Sequence, residues 1–522
     1  MAGARPADER IVLKPAALGR RAAWARRPRP FKTASISVFG FAALLFLTAC
    51  KPVGPSYNRP GYNTPTIYKE TGASSVAPPP NPAGGSWQPA NPSDGMLKGK
   101  WWEIYHDPQL NQLEERIAAT NVELKQALDT YLAARDQVSV ARANLYPTIS
   151  GAVTTQGIKN SANAPNSSAS TAGANADLVI AGQASWEPDF WGRIRLTVEQ
   201  ARAQAQASAA VAANVDLTLH AELATDYFAL RGIDSQIKLL TSTVADLQRQ
   251  LDLTQRRFTG GVATAVDVAQ AQTELETVRA QLVDLGVARA QYEHAVGTIA
   301  NYDLSSFSIP PSPLGQPPEV ALPPIPLGVP SQLLERRPDI AAEERLADAA
   351  NAQIGIAISA FYPTIALGAT GGFESAHPGT WIQGPSSLWT LGAQAADLLF
   401  DAGQRHALTL AARHTYEAQA NGYRNTVFLA FEDVEDQLAS LRILEQEAQV
   451  EQNAVLAAQN SFNLSNTRYR GGVTSYLEVL TAEQTLLQNQ VTAIDIESRR
   501  FAASVSLIRA LGGGWDVTQI PQ

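Results

Sequence analysis

Four segments of about ten residues carry the alternating pattern of half-buried β-strands. In the clearest, 364–374, Ile365, Leu367 and Phe373 fall on one face, and most residues of the other face are small or polar. Strands of this length and pattern are typical of outer-membrane proteins, although a soluble sandwich with aromatic core residues is the alternative. The weaker segments are 148–157, 178–186 and 389–397.

Segments with the composition of long helices follow the strands. Residues 196–258 and 405–469 contain no proline and one glycine each. At a rise of ~1.5 Å per residue, each helix would be roughly 95 Å long, which is too long for the core of one compact domain. A coiled coil is the alternative, but the sustained a and d leucines that it needs are missing. The pattern predicts a helical cylinder, with shorter helices at 110–146, 265–299, 338–362 and 475–511.

The second half of the chain repeats the first. Tyr-Pro-Thr-Ile occurs at 146–149 and again at 362–365, and Gly-Gly-Val occurs at 260–262 and again at 471–473. The glycine before each long helix precedes the second glycine of its turn by 69 residues in both halves. A fixed spacing indicates an internal two-fold repeat. The predicted segments are a signal peptide (1–49), an extended N-terminal tether (50–100), the first repeat (101–309), a proline-rich linker (310–330), the second repeat (331–512) and a C-terminal tail (513–522).

Cys50, the only cysteine, follows the pattern of a secretory signal. Basic residues from Arg26 to Lys32 precede an apolar run, 36–47, that is too short to span a bilayer. A cysteine directly after the small residues of a cleavage point resembles a bacterial lipobox; a buried N-terminal helix is the alternative. The resemblance implies a covalent lipid, including palmitate, on Cys50, and no other cofactor is predicted. Lys51 stands where an aspartate would indicate retention in the inner membrane, so the resemblance favours the outer membrane.

The charge and the motifs exclude several classes of function. The net charge is −8, and the excess of acidic residues lies downstream of residue 49, which argues against nucleic acid as a partner. The six histidines have no paired-ligand spacing such as HExxH, and neither a GxSxG motif nor a phosphate-binding loop occurs. The sequence therefore predicts neither an enzyme nor a metal site.

Several motifs together resemble the TolC/OprM-type outer-membrane factors, in particular the NodT-like lipoprotein branch of RND efflux systems. They are Lys-Trp-Trp at 100–102, Asp-Pro at 107–108, Leu-Glu-Arg-Arg-Pro-Asp-Ile at 334–340 and Phe-Tyr-Pro at 361–363. The resemblance implies a mixed α+β membrane protein that forms a homotrimer. Four strands per chain would close a 12-stranded outer-membrane β-barrel, which a periplasmic α-helical barrel would continue.

The same resemblance implies the function and the partners. Such proteins are passive exit ducts of tripartite efflux pumps for small molecules and drugs, hence their role in antibiotic resistance. A periplasmic adaptor joins them to an inner-membrane transporter, here an RND type, while outer-membrane lipid surrounds the barrel. The alternatives are the exit channel of a type I protein secretion system and a non-conducting structural lipoprotein of the envelope.

In that family, the turns between the long and return helices form a periplasmic tip that contacts the adaptor. By resemblance, the tip residues are Gly260, Gly261, Val262, Ala263, Thr264, Gly471, Gly472, Val473, Thr474 and Ser475. Asp267 and Glu478 lie at equal offsets behind the turns, where three copies would form acidic rings that attract cations. Ion pairs or hydrogen bonds across the hairpins would hold the tunnel shut, although a solvated charged face is the alternative. The predicted constriction residues are Asp267, Glu478, Tyr469, Arg257, Arg468 and Arg470.

Overall fold

The computed structural model describes residues 51–62, 64–65, 67–71, 99–159, 161, 174–314, 322–323, 325, 336–515 and 520. The predicted signal peptide and lipidated Cys50 lie outside these residues. The helices and strands in chain order are α1 (Pro108–Thr120), α2 (Val122–Ala143), β1 (Thr148–Lys159), β2 (Ala174–Trp186), α3 (Arg193–Thr259), α4 (Ala265–Ile299), α5 (Pro338–Ser359), β3 (Thr364–Ser375), β4 (Ser387–Ala396), α6 (Gln404–Arg470) and α7 (Tyr476–Ala510).

The two long helices have the same length and the same kind of start. α3 and α6 contain 67 residues each, which corresponds to roughly 100 Å. Gly192 and Gly403 precede them in the left-handed conformation, with φ of 80° and 88°. The carboxylates of Asp189 and Asp401 accept hydrogen bonds from the first free backbone N–H groups and so cap both helices. Within the described residues, no helix is both long and apolar enough to cross a membrane.

The helices form two hairpins that pack side by side. Hairpin 1 consists of α3 and α4, hairpin 2 consists of α6 and α7, and α7 also packs along α3. Helix α5 lies between α3 and α6, whereas its counterpart in the first half, α2, packs mainly against α3. The two halves therefore use equivalent elements, but among the described residues α2 lacks the second long-helix neighbour that α5 has.

The single helix predicted over 110–146 is wrong, because the chain breaks at Asn121. This residue adopts an extended conformation, with φ −60° and ψ 131°. Its side chain accepts a hydrogen bond from Leu124 N at 2.9 Å and donates one to Ile299 O at 2.8 Å. Asparagine is a favoured N-cap residue, so its side chain starts α2 and binds the end of α4, while its extended backbone ends α1.

The four predicted strands form one antiparallel sheet in the order β1-β2-β3-β4. The register places Gly182 of β2 opposite Gly371 of β3. Every residue of β1 is exposed, including Ile149 and Val153. In the part of the chain that the structure describes, β1 and β4 each have one unpaired edge, and no second sheet covers the faces as a soluble sandwich would require.

The largest apolar core lies in the helical part, around the short helix Trp101–Tyr105. Tyr105 and Phe228 pack edge to face at 4.8 Å, and Phe228 stacks on Phe501 at 4.7 Å. This cluster joins α1, α3 and α7. Burial of aromatic side chains contributes a large apolar area per residue, so the core fixes hairpin 2 to hairpin 1 far from their turns.

The described part of the N-terminal tether follows the surface of the helices. Val53 N donates to Trp191 O at 3.0 Å, beside the sheet, and Tyr57 Oη donates to Glu344 O at 3.2 Å. Further along, Lys69 N donates to a carboxylate oxygen of Glu435 at 2.7 Å. The described tether residues form no helix or strand before the short 3-10 helix Lys69–Thr71, and hydrogen bonds to Trp191, Glu344 and Glu435 hold them in place.

Candidate functional site

The turns of the two hairpins have the same backbone geometry. Gly261 and Gly472 both have φ of 75°, a conformation that glycine adopts without strain. Val262 N donates to Arg257 O at 2.8 Å, and Val473 N donates to the equivalent carbonyl at 2.9 Å. These bonds satisfy carbonyl groups at the helix ends, so each reversal takes only a few residues. All ten predicted tip residues lie in these two turns.

The turns carry an exposed apolar surface. Val262 is 69% exposed and Val473 is 71% exposed. Nearby apolar side chains, Val266 on α4 and Leu477 on α7, are also exposed. Each turn therefore places exposed apolar side chains at the end of a long helix, where a partner can contact them.

The two predicted acidic residues differ in their local bonds. Asp267 forms a capping box with Thr264, in which Thr264 N donates to the carboxylate at 2.7 Å and Asp267 N donates to the hydroxyl at 3.2 Å. In hairpin 2, Ser475 makes no such bond, and Glu478 is exposed without a hydrogen bond or ion pair among the described residues. The Asp267 carboxylate is thus bound to the start of α4, whereas that of Glu478 faces solvent.

Arg257 and Tyr469 connect the two hairpins near the turns. A guanidinium N–H of Arg257 donates to Tyr469 O at 3.0 Å, and the guanidinium lies 4.4 Å from the tyrosine ring centroid. Tyr469 is buried and packs against Tyr476 at 5.4 Å. Of the predicted constriction residues, the structure brings these two together. Arg468 and Arg470 are exposed, and the described residues offer them no ion pair with Asp267 or Glu478.

A second set of contacts between the hairpins was not predicted. Gln250 of α3 donates to a carboxylate oxygen of Glu483 on α7 at 2.9 Å, and Gln484 of α7 donates to a carboxylate oxygen of Glu274 on α4 at 2.6 Å. We call these four residues the clasp. Burial raises the pKa of Glu483 to about 7, with a further contribution from the charge of Glu274. Sequence gave no signal because the four residues are common on helices and do not occupy equivalent repeat positions.

A cavity of about 480 Å³ lies beside the clasp, between α3, α6 and α7. Its lining includes Tyr469, Tyr476 and Glu483, together with Phe462. The hydroxyl of Tyr476 donates to the side-chain oxygen of Gln250 at 3.4 Å, which links the cavity wall to the clasp. The interface between the hairpins is therefore partly polar and incompletely filled just behind the turns.

A buried acid–histidine pair lies in the middle of the helical part. His220 Nδ1 and a carboxylate oxygen of Glu114 are 2.6 Å apart, and Trp102 stacks on the imidazole at 4.3 Å. Burial raises the pKa of Glu114 to about 7. Although burial opposes it, hydrogen bonds and charge from Asp216 and Glu114 raise the pKa of His220 to about 9. The spacing of the histidines in the sequence could not reveal this pair, because Glu114, the partner of His220, lies on a different helix.

The motif residues that carried the resemblance hold elements together. Arg337 donates to Asp339 at 2.7 Å, to Ala510 O at 3.1 Å and to Asp433 at 3.2 Å, and so joins α5 to α6 and α7. Asp107 caps α1 and accepts a hydrogen bond from Tyr227 Oη at 2.6 Å. These residues stabilise the helical part, and no group of three or more potential ligands suited to a metal ion occurs among the described residues.

Comparison with known proteins identifies close structural and sequence relatives. The model of the outer membrane efflux protein family matches residues 113–301 and 329–513. The chain is 31% identical to the probable efflux pump outer membrane protein TtgC of Pseudomonas putida, over 83% of this chain and 89% of that protein. It is 26% identical to the probable outer membrane lipoprotein SilC of Salmonella typhimurium, over 92% of this chain and 99% of SilC. Its fold matches the CmeC outer membrane channel of Campylobacter jejuni with a TM-score of 0.78 at 21% identity, over 90% of this chain and 96% of that one.

Proposed function

This chain belongs to the outer membrane efflux protein family, and from that membership we propose that it is the outer-membrane exit channel of a tripartite efflux pump. It lies in the outer membrane and extends into the periplasm. The relative TtgC is a probable efflux pump outer membrane protein, so efflux of small molecules is favoured over the protein-secretion and structural alternatives. The match to the family confirms the resemblance found in the sequence.

The assembly is proposed to be a homotrimer with a 12-stranded barrel. Strand edges exposed to lipid leave backbone groups without hydrogen bonds, and a closed barrel removes such edges. The described part of one chain supplies four strands with two unpaired edges, so three chains would close twelve strands by pairing β1 of one copy with β4 of the next. This pair of free edges in an exposed sheet is the observation that carries the proposal.

The internal repeat supports the same assembly in the helical part. Helix α5 lies between two long helices of its own chain, whereas α2 packs mainly against α3. The free side of α2 exposes apolar residues, including Leu128, Leu132 and Val140. Helices α2 and α5 each precede a strand. If α2, like α5, lies between two long helices, α6 of a neighbouring copy covers its exposed side, and the ring of helices closes together with the ring of strands.

The two hairpin turns are proposed to meet a periplasmic adaptor, and an RND-type inner-membrane transporter supplies the energy. The exposed valines at the turns offer apolar contact area, and the glycines keep the backbone accessible to a partner helix. Arg257 and Tyr469 would hold the closed tunnel together at the same end, and Glu478 would face the tunnel as part of a cation-attracting ring.

The proposed lipid on Cys50 agrees with the path of the tether. Val53 is hydrogen bonded beside the sheet, and the tether runs from there along the helices. A lipid on Cys50 would therefore require no change in the described path of the tether. Mass spectrometry of the purified protein tests this, since Cys50→Ser should lack the mass of the acyl groups.

The proposed function is tested by transport and by conductance. Expression of the chain with its adaptor and transporter should restore drug resistance to a bacterium that lacks its own outer-membrane efflux proteins. The purified protein should conduct ions in planar bilayers and have the native mass of a trimer. A protein that neither restores resistance nor conducts under any condition, including after substitution of Arg257, would refute the exit-channel function and favour the structural lipoprotein.

A further inference from the structure

The clasp joins the hairpins by a reciprocal exchange of side chains. Hairpin 1 contributes Gln250 and Glu274, and hairpin 2 contributes Glu483 and Gln484. Each glutamate is bound by the glutamine of the opposite hairpin, at 2.9 Å and 2.6 Å. Separation of the hairpins would break both bonds together. Both hydrogen bonds of the clasp are therefore present when the hairpins are joined and absent when they are apart.

Glu483 is poorly suited to carry a charge while the hairpins are joined. The residue is 7% exposed, and one of its carboxylate oxygens is buried without a hydrogen-bond partner among the described residues. A buried carboxylate needs several donors to offset its loss of hydration, and Gln250 supplies only one to the other oxygen. Protonation removes the charge and most of this cost. An open arrangement would expose the same carboxylate to water.

Every element around Glu483 contributes polar or charged groups. Helix α4 presents the Glu274 carboxylate, whose charge raises the pKa of Glu483 further after burial. Ionisation of Glu483 would place two negative charges on opposite hairpins of the clasp. The other titratable or charged groups that line the adjoining cavity are Asp246 and Arg249 on α3, Tyr469 and Arg470 on α6 and Tyr476 on α7.

We propose that the clasp is a protonation-controlled latch: Glu483 in its neutral form keeps the two hairpins together, and its ionisation favours their separation. The proposal rests on the proposed role of the turns as the gated end of a channel. It adds a regulatory device inside the hairpin interface, distinct from the predicted acidic rings, because the two carboxylates are buried between helices.

The direction and the size of the effect follow from proton linkage. The pKa of Glu483 is about 7 with the hairpins joined, against an ordinary value of 4.5 when the side chain is exposed. Because the joined state binds the proton more tightly, its advantage is complete below pH 4.5 and is lost as the pH rises to about 7. Between pH 5.5 and 7.5, the ratio of joined to separated hairpins should fall roughly 20-fold per chain.

Spin labels at the exposed turns test the latch. Val262→Cys and Val473→Cys place one label on each hairpin, and dilution with unlabelled chains gives one labelled pair per assembly. Pulsed electron resonance should show a longer distance population that grows from pH 5.5 to pH 7.5. Glu483→Gln, which mimics the neutral acid, should keep the short distance throughout. The matched control Asp495→Asn, on an exposed acidic residue of the same helix, should respond to pH as the parent protein does.

Two results would overturn the latch. One is an unchanged distance in the parent protein over the whole pH range, and the other is the same pH response in the Glu483→Gln variant. If Glu483→Gln does not assemble, Glu274→Gln provides the test, since loss of the neighbouring charge should reduce the size of the pH response. The distances are measured without ion current, so they report the latch even in a protein that fails the conductance test of the proposed function.

Discussion

Arg257 should stabilise the closed hairpins more than any other arginine near the turns. Its hydrogen bond to Tyr469 O has a charged donor, which would contribute about 1.5–3 kcal/mol if fully buried and about 1 kcal/mol at this half-buried site. The guanidinium over the tyrosine ring adds about 0.5 kcal/mol. Arg257→Ala should therefore weaken closure by about 1.5 kcal/mol per chain, which corresponds to roughly a tenfold shift of the equilibrium towards the open state.

The repeat provides a matched control for this prediction. Arg468 occupies the equivalent position in hairpin 2 but is exposed and lacks a cross-hairpin partner among the described residues. In planar bilayers, Arg257→Ala should raise the open probability or conductance at neutral pH, and Arg468→Ala should leave both near the parent values. Equal effects of the two variants would show that general charge at the turns, and not the bond to Tyr469, controls closure.

Three further predictions concern single positions. Glu478→Ala should raise single-channel conductance and lower cation preference, measured by reversal potential, because its exposed carboxylate is proposed to form an acidic ring; unchanged values would exclude that role. Thr264→Ala should lower the stability of the first turn of α4 by about 1 kcal/mol, because the N-cap bond is lost, and amide hydrogen exchange in that turn should become faster. Ser475 makes no capping bond, so Ser475→Ala should leave amide exchange at the start of α7 unchanged. Gly372→Ala should lower the melting temperature of the assembly, because the added Cβ atom would lie 2.1 Å from Ile180 O. Gly368→Ala should lower the melting temperature less, because no atom lies within 4 Å of the added Cβ. Equal melting temperatures of the two variants would contradict this prediction.

Local signals predicted most of the secondary structure. Residues 265–299 were predicted as a helix and form α4 with the same bounds, and the strand predicted at 364–374 is one residue longer. Glycine, proline and the period of the apolar residues are properties of short segments, so sequence reveals them directly. The break at Asn121 was missed because its amide also binds Ile299 O, and that contact depends on a distant helix.

Equivalent positions of the repeat show where sequence stops being sufficient. Phe258 and Tyr469 precede the two turns at the same offset, yet Phe258 is 47% exposed and Tyr469 is 6% exposed. The two positions are equivalent in the sequence repeat, and for the same reason the sequence predicts that both neighbouring arginines, Arg257 and Arg468, belong to the constriction. The packing of α7 along α3 covers Tyr469 and leaves Phe258 in solvent, which only the tertiary structure reveals.

The sequence by itself determined the four long hairpin helices, the order of the elements, the two turns and the family, because each depends on residues close together in the chain. The tertiary structure decided which side chains meet: Arg257 with Tyr469, Gln250 with Glu483, and Gln484 with Glu274. Each of these contacts joins residues that are more than 200 positions apart. Their geometry is set by how two long hairpins lie against each other, and the separate apolar clusters along the interface fix that arrangement.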